Sequence, residues 1–329
     1  MVQSRQIQRE THLSKRNNPA YACIKTYGIV LYVWDCDDWF DLQSDCNEIQ
    51  DPESHYVCDP DELLETMNAH GIGRAILMSS GETPDNGVHG LGAANTDCEA
   101  ICSAAGGRLA WMCNFDPVCP ETLRERMADL KSRGAVGVGE VMINQWMDSE
   151  FLEALFASAE ELDLPVICHM SPEPGVSYGV CDRAGLPLLE QTLRRHPNLK
   201  YIGHSQVFWL EISADCPQSG AAARNGYGHG PVKAGGTLER LFAFCPNLYG
   251  DLSVYSAFCA ITRDTEYGIS FLERFQDRLM FATDMTNRRN VPPLERFLDN
   301  AAEEGKLSAA AYEKICRGNA QKLFGLICE

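Results

Sequence analysis

LPVICHMSPEPGVSYGVCDRAGLPLLEQTLRRHPNLKYIGH, residues 164–204, begins and ends with a short apolar run that closes on a histidine. The runs are LPVICH (164–169) and LKYIGH (199–204), and LPLLEQTLRRHP between them has helical periodicity. Nearly continuous apolar runs are typical of parallel strands that are buried on both faces and joined by helical crossovers. This segment therefore predicts one β/α/β unit of a parallel sheet.

The same alternation extends over most of the 329 residues. We predict strands in eight apolar runs: GIVLYVW (28–34), GRAILMS (73–79), RLAWMCN (108–114), AVGVGEVMI (135–143), LPVICH (164–169), LKYIGH (199–204), NLYGDLS (247–253) and RLMFATD (278–284). Helices are predicted in DPDELLETMNAHG with Asp59 as N-cap, in ETLRERMADLKSRG, in SEFLEALFASAEELD with Ser149 as N-cap, in LPLLEQTLRRHP and in the closing segment LSAAAYEKICRGNAQKLFGL.

Eight β/α units, without a glycine-rich dinucleotide turn after the first strand, favour an α/β fold of the (β/α)8 TIM-barrel type over a doubly wound sheet. No linker divides the chain, so we expect a single catalytic barrel domain at 21–329. The polar, basic segment before it predicts a disordered leader at 1–20. Two longer insertions, 80–97 and 205–232, follow predicted strands. In a barrel, loops at the carboxyl ends of strands form the mouth of the active site.

Composition excludes several classes of function. The chain has 46 acidic and 28 basic side chains and a net charge of -18, which opposes binding to nucleic acids and to anionic membranes. No apolar run approaches the roughly 18 to 20 residues that span a bilayer. Its 15 cysteines are odd in number, scattered and without a C-x-x-C pair, as expected for reduced thiols in a cytoplasmic protein.

Three of the predicted strands end in a polar residue. His169 and His204 end the fifth and sixth strands, and Asp284 ends the eighth. A single histidine in such a place is more often a hydrogen-bonded core residue than a metal ligand, but two at equivalent ends of neighbouring strands favour ligation. An aspartate at the end of an apolar strand is costly unless it meets a cation or hydrogen-bond donors.

The fourth strand carries one charged residue, Glu140, in GVGEVMIN. Glu140 is either a metal ligand or the partner of an arginine, such as Arg74 or Arg288, in an ion pair. Imidazole nitrogens and carboxylate oxygens that converge on a barrel mouth suit zinc or manganese. A coordination position left to water would make such a site catalytic.

The motifs PVICHMSP, YIGHSQVFW, LYGDLS and LMFATDMT resemble the fifth to eighth strands of the metal-dependent amidohydrolase superfamily. Within it they resemble amidohydrolase family 2, which includes aminocarboxymuconate-semialdehyde decarboxylase, over most of the chain from about residue 60. The resemblance implies a distorted barrel in which His169, His204 and Asp284 bind or face a divalent metal ion. GVGEVMIN also resembles the fourth strand of the TatD-like deoxyribonuclease branch, which implies a ligand role for Glu140.

The first strand departs from the family. The superfamily ends this strand with His-x-His, but here the segment YVWDCDDWF, residues 32–40, has Asp35 and Asp37 instead. They could be an oxygen-ligand version of the motif, which would shift metal preference toward harder ions such as manganese or magnesium. Alternatively, they start a solvated loop and the site has decayed, or the N-terminal sequence is a faulty translation.

We therefore expect a metal-dependent hydrolase or non-oxidative decarboxylase that acts on a small organic acid, ester, lactone or amide through a metal-activated water or a metal-bound substrate. Asp284 is the expected proton-transfer residue, with His204 beside it. Trp209, Tyr255 and Arg288 are candidates to line the substrate pocket, Arg288 by pairing with a carboxylate, although packing or surface positions would explain them equally well.

The alternative is a catalytically decayed barrel with a binding or assembly role, for which the missing His-x-His is the main support. A nuclease of the TatD type is disfavoured because the net charge of -18 repels its substrate. The expected partner is a small-molecule substrate. The sequence leaves the oligomeric state open, with a homodimer among the options.

Overall fold

The computed structural model describes residues 27–29, 60–82, 93–284 and 293–326. Several predictions lie outside the described residues: the leader 1–20, the ligands Asp35 and Asp37, the N-cap Asp59, most of the insertion 80–97, and Arg288. Among the described residues, no helix is both long and apolar enough to cross a bilayer.

The strands pair in parallel and follow the chain in order. Their bounds are β1 Tyr27–Ile29, β2 Arg74–Met78, β3 Leu109–Cys113, β4 Ala135–Val141, β5 Val166–Ser171, β6 Val180–Cys181, β7 Tyr201–His204, β8 Leu248–Leu252 and β9 Leu279–Phe281. The sheet order is β1-β2-β3-β4-β5-β7-β8-β9, with β6 beside β5. It curls until β1 and β9 lie against each other. Each of the eight predicted runs overlaps one of these strands, although β1 begins one residue before its run and β5 ends two residues after its run. The two-residue β6 is too short to give an apolar run.

Helices connect the strands on the outside of the sheet. Their bounds are α1 Pro60–Ala69, α2 Asn95–Ala104, α3 Leu123–Ser132, α4 Glu150–Glu161, α5 Pro187–Arg195, α6 Ser205–Leu210, α7 Ala221–Arg224, α8 Thr237–Phe244, α9 Val254–Thr262, α10 Thr265–Arg274, α11 Pro293–Glu303, α12 Ala309–Glu313 and α13 Asn319–Phe324. A 3₁₀ turn, Pro120–Thr122, precedes α3, and a π-helical turn, Lys314–Gly318, joins α12 to α13.

Local signals explain where several helices begin. Ser149 caps α4, as predicted, by accepting a hydrogen bond from the backbone N–H of Leu152. Helices α1, α5 and α11 start at proline, whose fixed φ and missing N–H suit the first helical turn. The predicted helices in 59–71, 121–134, 149–163 and 186–197 correspond to α1, α3, α4 and α5.

Alternation along the strands divides the core into two layers. In β5, Val166, Cys168 and Met170 pack outward in the larger cluster, which also contains the apolar faces of the helices. Ile167 belongs to the smaller cluster inside the curled sheet. Because successive side chains point to opposite faces of a strand, His169 shares the inner face with Ile167. The inner face of the sheet therefore carries the His169 imidazole at the carboxyl end of β5.

Most of the cysteines among the described residues are buried. The ten cysteines among the described residues are unpaired thiols. Burial raises the pKa of Cys113 to about 12 and also raises the pKa of Cys168. Such thiols behave as small apolar groups rather than as nucleophiles or metal ligands.

We expect the inner layer to be sensitive to lost volume. Ile202 on β7 is 0% exposed, so Ile202→Ala should lower the free energy of unfolding by about 2–5 kcal/mol and Ile202→Val by about 0.5–1.5 kcal/mol. Chemical denaturation checks both values. The partly buried Val136 at the edge of this layer provides the control, because Val136→Ala leaves a smaller cavity. Equal costs for Ile202→Ala and Val136→Ala would contradict the packing.

Candidate metal centre

Two histidines meet at the carboxyl ends of neighbouring strands. His169 on β5 and His204 on β7 are paired in the sheet register, and their ring centroids lie 5.3 Å apart. They are 6% and 1% exposed, respectively. The predicted pairing of strand ends thus places the two imidazoles side by side in the barrel mouth.

Glu140 joins the histidines from β4. Its Oε1 lies 2.7 Å from His169 Nδ1 and 3.4 Å from His204 Nε2. The carboxylate is buried, so it depends on these nitrogens to offset the cost of removing a charge from water. The side-chain N–H groups of Asn114 donate to the Glu140 carbonyl and to the Ser79 carbonyl, which ties β4 to the end of β2.

Gly139 permits the close approach of β4 and β5 beside the site. Its φ of +150° is accessible chiefly to glycine, and a Cβ there would lie 2.2 Å from Ile167 Cγ2. A larger residue would push the two strands apart directly below Glu140 and His169.

Ser205 fixes the spacing of the two histidines. Its Oγ accepts a hydrogen bond from the Met170 N–H at 2.9 Å and donates to the Met170 carbonyl at 3.1 Å. Ser205 directly follows His204 in sequence, and Met170 directly follows His169. Ser205 has a φ of +81°, an unusual backbone conformation for a non-glycine residue and one that is often found at functional sites.

A second carboxylate, that of Asp251, orients the His204 ring through its Nδ1. Asp251, at the end of β8, places Oδ1 3.0 Å from His204 Nδ1. The same oxygen accepts hydrogen bonds from the backbone N–H and the hydroxyl of Ser253. A carboxylate on one imidazole nitrogen holds the ring so that its other nitrogen faces the centre, as at many histidine metal sites.

The acidic surroundings change the protonation of His204. Burial opposes its charged form, but three carboxylates outweigh burial and raise its pKa to about 10. They belong to Glu140, Asp251 and Asp284. In the metal-free protein the imidazole is therefore protonated at neutral pH, and a cation has to displace that proton.

Asp284 lies at the end of the last strand, within electrostatic reach of the cluster. Burial raises the pKa of its carboxyl group to about 7, the positive charge of His204 lowers it, and Glu140 and Asp251 raise it again. Its φ of +51° is in the left-handed region, which aspartate tolerates better than most residues. This carboxyl group can both hold and release a proton near neutral pH.

Glu140, His169 and His204 are able to share one ion. One ligand atom from each lies within 4.8 Å of the others, and all three residues are buried. Two imidazoles and a carboxylate are a donor set for zinc or manganese, whose ligand bonds of about 2.0–2.3 Å require small adjustments of these side chains. The residues present therefore fit a divalent metal ion.

The predicted substrate-lining residues occupy different environments. Trp209 is 1% exposed, and its indole N–H donates to the Asp251 carbonyl at 2.9 Å. Tyr255 is 61% exposed in the first turn of α9. Tyr178, which sequence reasoning did not select, places its ring centroid 4.1 Å from that of His169.

The comparisons with known proteins agree with this architecture. Residues 50–326 match the sequence profile of the family described as amidohydrolase, of the type 2 branch. The chain belongs to the amidohydrolase family. This confirms the resemblance inferred from the strand motifs and identifies the chain as an enzyme of the hydrolase or carboxy-lyase type. No curated protein matches the amidohydrolase chain.

Solved structures share the fold at low sequence identity. A 5-carboxyvanillate decarboxylase from Sphingomonas paucimobilis is 15% identical, with 92% of this chain and 100% of that chain covered and a TM-score of 0.58. An uncharacterised TIM-barrel protein from Bordetella bronchiseptica is 17% identical over 80% and 81%, with a TM-score of 0.56. A 2,6-dihydroxybenzoate decarboxylase from Rhizobium is 18% identical over 83% and 90%, with a TM-score of 0.53. The predicted TIM-type fold is confirmed.

We expect Asp251→Asn to weaken divalent-ion binding about 10- to 100-fold, the usual cost of losing a carboxylate that orients a histidine ligand. Titration with manganese and with zinc measures the affinity. Asp277→Asn is the matched control, because Asp277 is exposed and pairs with Lys314 on the surface. Equal affinities for Asp251→Asn and the parent protein would remove Asp251 from this role.

The metal-free protein should lose stability as the pH rises. Asp284 keeps its proton up to about pH 7 in the folded state, compared with an ordinary pKa of 3.8. Since the unfolded state releases that proton first, the unfolding free energy falls between pH 4 and 7; the raised pKa of His204 extends the fall from pH 6.5 to 10. Thermal unfolding in chelator checks this slope. In Asp284→Asn the fall between pH 4 and 7 should flatten, and an unchanged slope would contradict the assignment.

Proposed function

We propose that this amidohydrolase is a divalent-metal-dependent enzyme that acts on a small organic acid, by hydrolysis or by non-oxidative decarboxylation. The convergence of Glu140, His169 and His204 within 4.8 Å carries the proposal. An ion pair needs one imidazole for each carboxylate, whereas Glu140 faces both His169 and His204. Asp251 and Asp284 add further negative charge around His204.

Glu140, His169 and His204 would hold the ion, and Asp284 is a further proposed ligand. A bound divalent ion lowers the pKa of water and polarises carbonyl or carboxylate oxygens. Asp35 and Asp37 remain proposed ligands from the first strand. Zinc and manganese both suit this mixture of nitrogen and oxygen donors.

Asp284 is the proposed proton-transfer residue. Its carboxyl pKa of about 7 in the metal-free protein means that protonated and ionised forms are both populated near neutral pH. In hydrolysis the ionised form would accept a proton from the attacking water and return it to the leaving group. In decarboxylation the protonated form would deliver its proton to the carbon that loses carbon dioxide.

Three tyrosines support the proposal that the substrate is a small organic molecule. Tyr178 contacts the His169 ring, and Tyr227 interacts electrostatically with both Asp284 and Tyr255. All three are partly or largely exposed and offer flat apolar faces with polar tips. Two of the structural neighbours are named for carboxylic-acid substrates, which is consistent with a small acid here.

Metal and turnover should respond differently to two sets of variants. We expect Glu140→Gln and His204→Ala to lower metal content and activity together, because each removes a ligand. Asp284→Asn should retain most of the metal and reduce turnover by about 10²- to 10⁴-fold, the range of a general acid or base. Elemental analysis and assays on small carboxylic acids, with carbon dioxide release recorded separately from hydrolytic products, measure both quantities.

His196→Ala is the matched control for these variants. His196 is also buried and lies 2.9 Å from a glutamate, Glu160, but away from the cluster. It should leave metal content and turnover unchanged. A parent protein that binds no divalent ion would contradict the proposed function and favour a binding or assembly role for the barrel.

A further inference from the structure

The segment that follows β5 folds back onto one of the candidate metal ligands. Residues 172–179 connect β5 to β6, and we call them the β5–β6 loop. Near the end of this loop, Tyr178 places its ring centroid 4.1 Å from that of His169, with an angle of 40° between the ring planes. At this separation the two rings are in direct contact. The loop therefore supplies an aromatic wall to one face of the His169 imidazole.

Gly179 brings the loop backbone against an edge of the same imidazole. A Cβ at this position would lie 2.7 Å from the His169 carbonyl oxygen and 2.9 Å from His169 Cδ2. The φ of Gly179, +110°, also lies in the range that favours glycine. Cδ2 is on the opposite side of the ring from Nδ1, which faces Glu140 at 2.7 Å. The imidazole thus lies between a carboxylate on one edge and loop backbone on the other.

One side chain, that of Asn144, fixes the loop on both sides of Tyr178. Its Nδ2 donates to the Ser177 carbonyl at 2.6 Å and to the Gly179 carbonyl at 3.1 Å. Its Oδ1 accepts a hydrogen bond from the Gly175 N–H at 2.7 Å. Because the two carbonyls belong to the residues before and after Tyr178, the tyrosine cannot swing away from the imidazole without breaking these hydrogen bonds.

A second set of hydrogen bonds ties the loop to both strands that carry a candidate histidine ligand. The hydroxyl of Ser171, the last residue of β5, donates to the Ser177 carbonyl at 3.1 Å. The Ser177 hydroxyl donates to Asn225 Oδ1 at 3.2 Å. Gln206, two residues beyond His204, donates to the same oxygen at 2.8 Å. The position of the loop is therefore set by the protein itself.

The two histidines are oriented in different ways. The Asp251 carboxylate holds the His204 ring through its Nδ1. The His169 ring packs against Tyr178 and Gly179. A ligand side chain that already lies in its binding orientation loses less rotamer freedom when an ion binds, so the ion binds more tightly.

We propose that Tyr178 is a positioning residue for His169 and that Asn144 keeps it in place. This inference rests on the proposed function, because the orientation of His169 affects catalysis only if the centre binds a divalent ion. The flat ring of Tyr178, rather than its hydroxyl group, limits the rotation of the imidazole. Asn144 acts one step further away, by keeping the β5–β6 loop closed on that ring.

Titration of the metal-free protein with manganese and with cobalt(II) tests the role of the ring. Tyr178→Leu should bind each ion about 10-fold more weakly than the parent protein, the lower end of the range for groups that orient a histidine ligand. Asn144→Ala should weaken binding in the same direction. Tyr178→Phe keeps the flat ring and should bind like the parent protein.

Two results of the titration would overturn the proposal. Parent-like affinity in Tyr178→Leu would show that the ring does not position His169. A loss in Tyr178→Phe as large as that in Tyr178→Leu would assign the effect to the hydroxyl group and contradict a role in packing.

Two control variants separate positioning from a general loss of stability. Tyr267→Leu removes a tyrosine ring that stacks on Phe271 in α10, and Asn247→Ala removes an amide that donates to two backbone carbonyls at the end of α5. Neither should change the affinity or the visible absorption spectrum of the cobalt-loaded protein. The spectrum should change in Tyr178→Leu, because it depends on the arrangement of the ligands. A parent-like spectrum in Tyr178→Leu would contradict the positioning role.

Crystal structures of metal-free protein separate this inference from the proposed function. The His169 ring should have one orientation in the parent protein and more than one in Tyr178→Leu, and a single parent-like orientation in the variant would contradict the positioning role. A parent protein that binds no ion, with a ring that reorients in the variant, would support the role of Tyr178 and contradict metal dependence. Equal, measurable affinities in the parent and in Tyr178→Leu would leave the proposed function standing without this role.

Discussion

The contact of one buried carboxylate with two imidazoles underlies the whole centre. Glu140 lies on a strand between apolar neighbours, where an isolated charge would be strongly unfavourable. His169 and His204 make its burial tolerable, and their own positions follow from the parallel register of β5 and β7. The inner layer of the barrel and the chemistry at its mouth are therefore parts of one arrangement, since a shift of either strand would separate the carboxylate from an imidazole.

The fold followed from the sequence because its signals are local and repeated. Each predicted run overlaps a strand, since buried parallel strands need continuous apolar residues. The same runs carry His169, His204 and Glu140, whose ligand atoms lie within 4.8 Å of one another in the structure. The runs overestimated strand length by a few residues at several ends. Apolar character continues into the first residues of the loops, whereas hydrogen bonding to the next strand does not.

The residues that orient or hold the candidate metal ligands could not be selected from the sequence in the same way. Asp251 lies in the quoted motif LYGDLS, but which strand it faces depends on the tertiary register. Asn114 and Ser205 act through backbone groups that are distant in sequence, and a side chain that bonds a distant carbonyl leaves no periodic pattern.

The double hydrogen bond between the Ser205 hydroxyl and the Met170 backbone has a consequence for how the centre acquires an ion. It joins the two strand ends by protein atoms alone, so the distance between the imidazoles is set before any cation arrives. Little chain entropy then remains to be lost on binding. An incoming ion chiefly has to shed its water and displace protons, and the barrel should keep its form through repeated cycles of loading and removal.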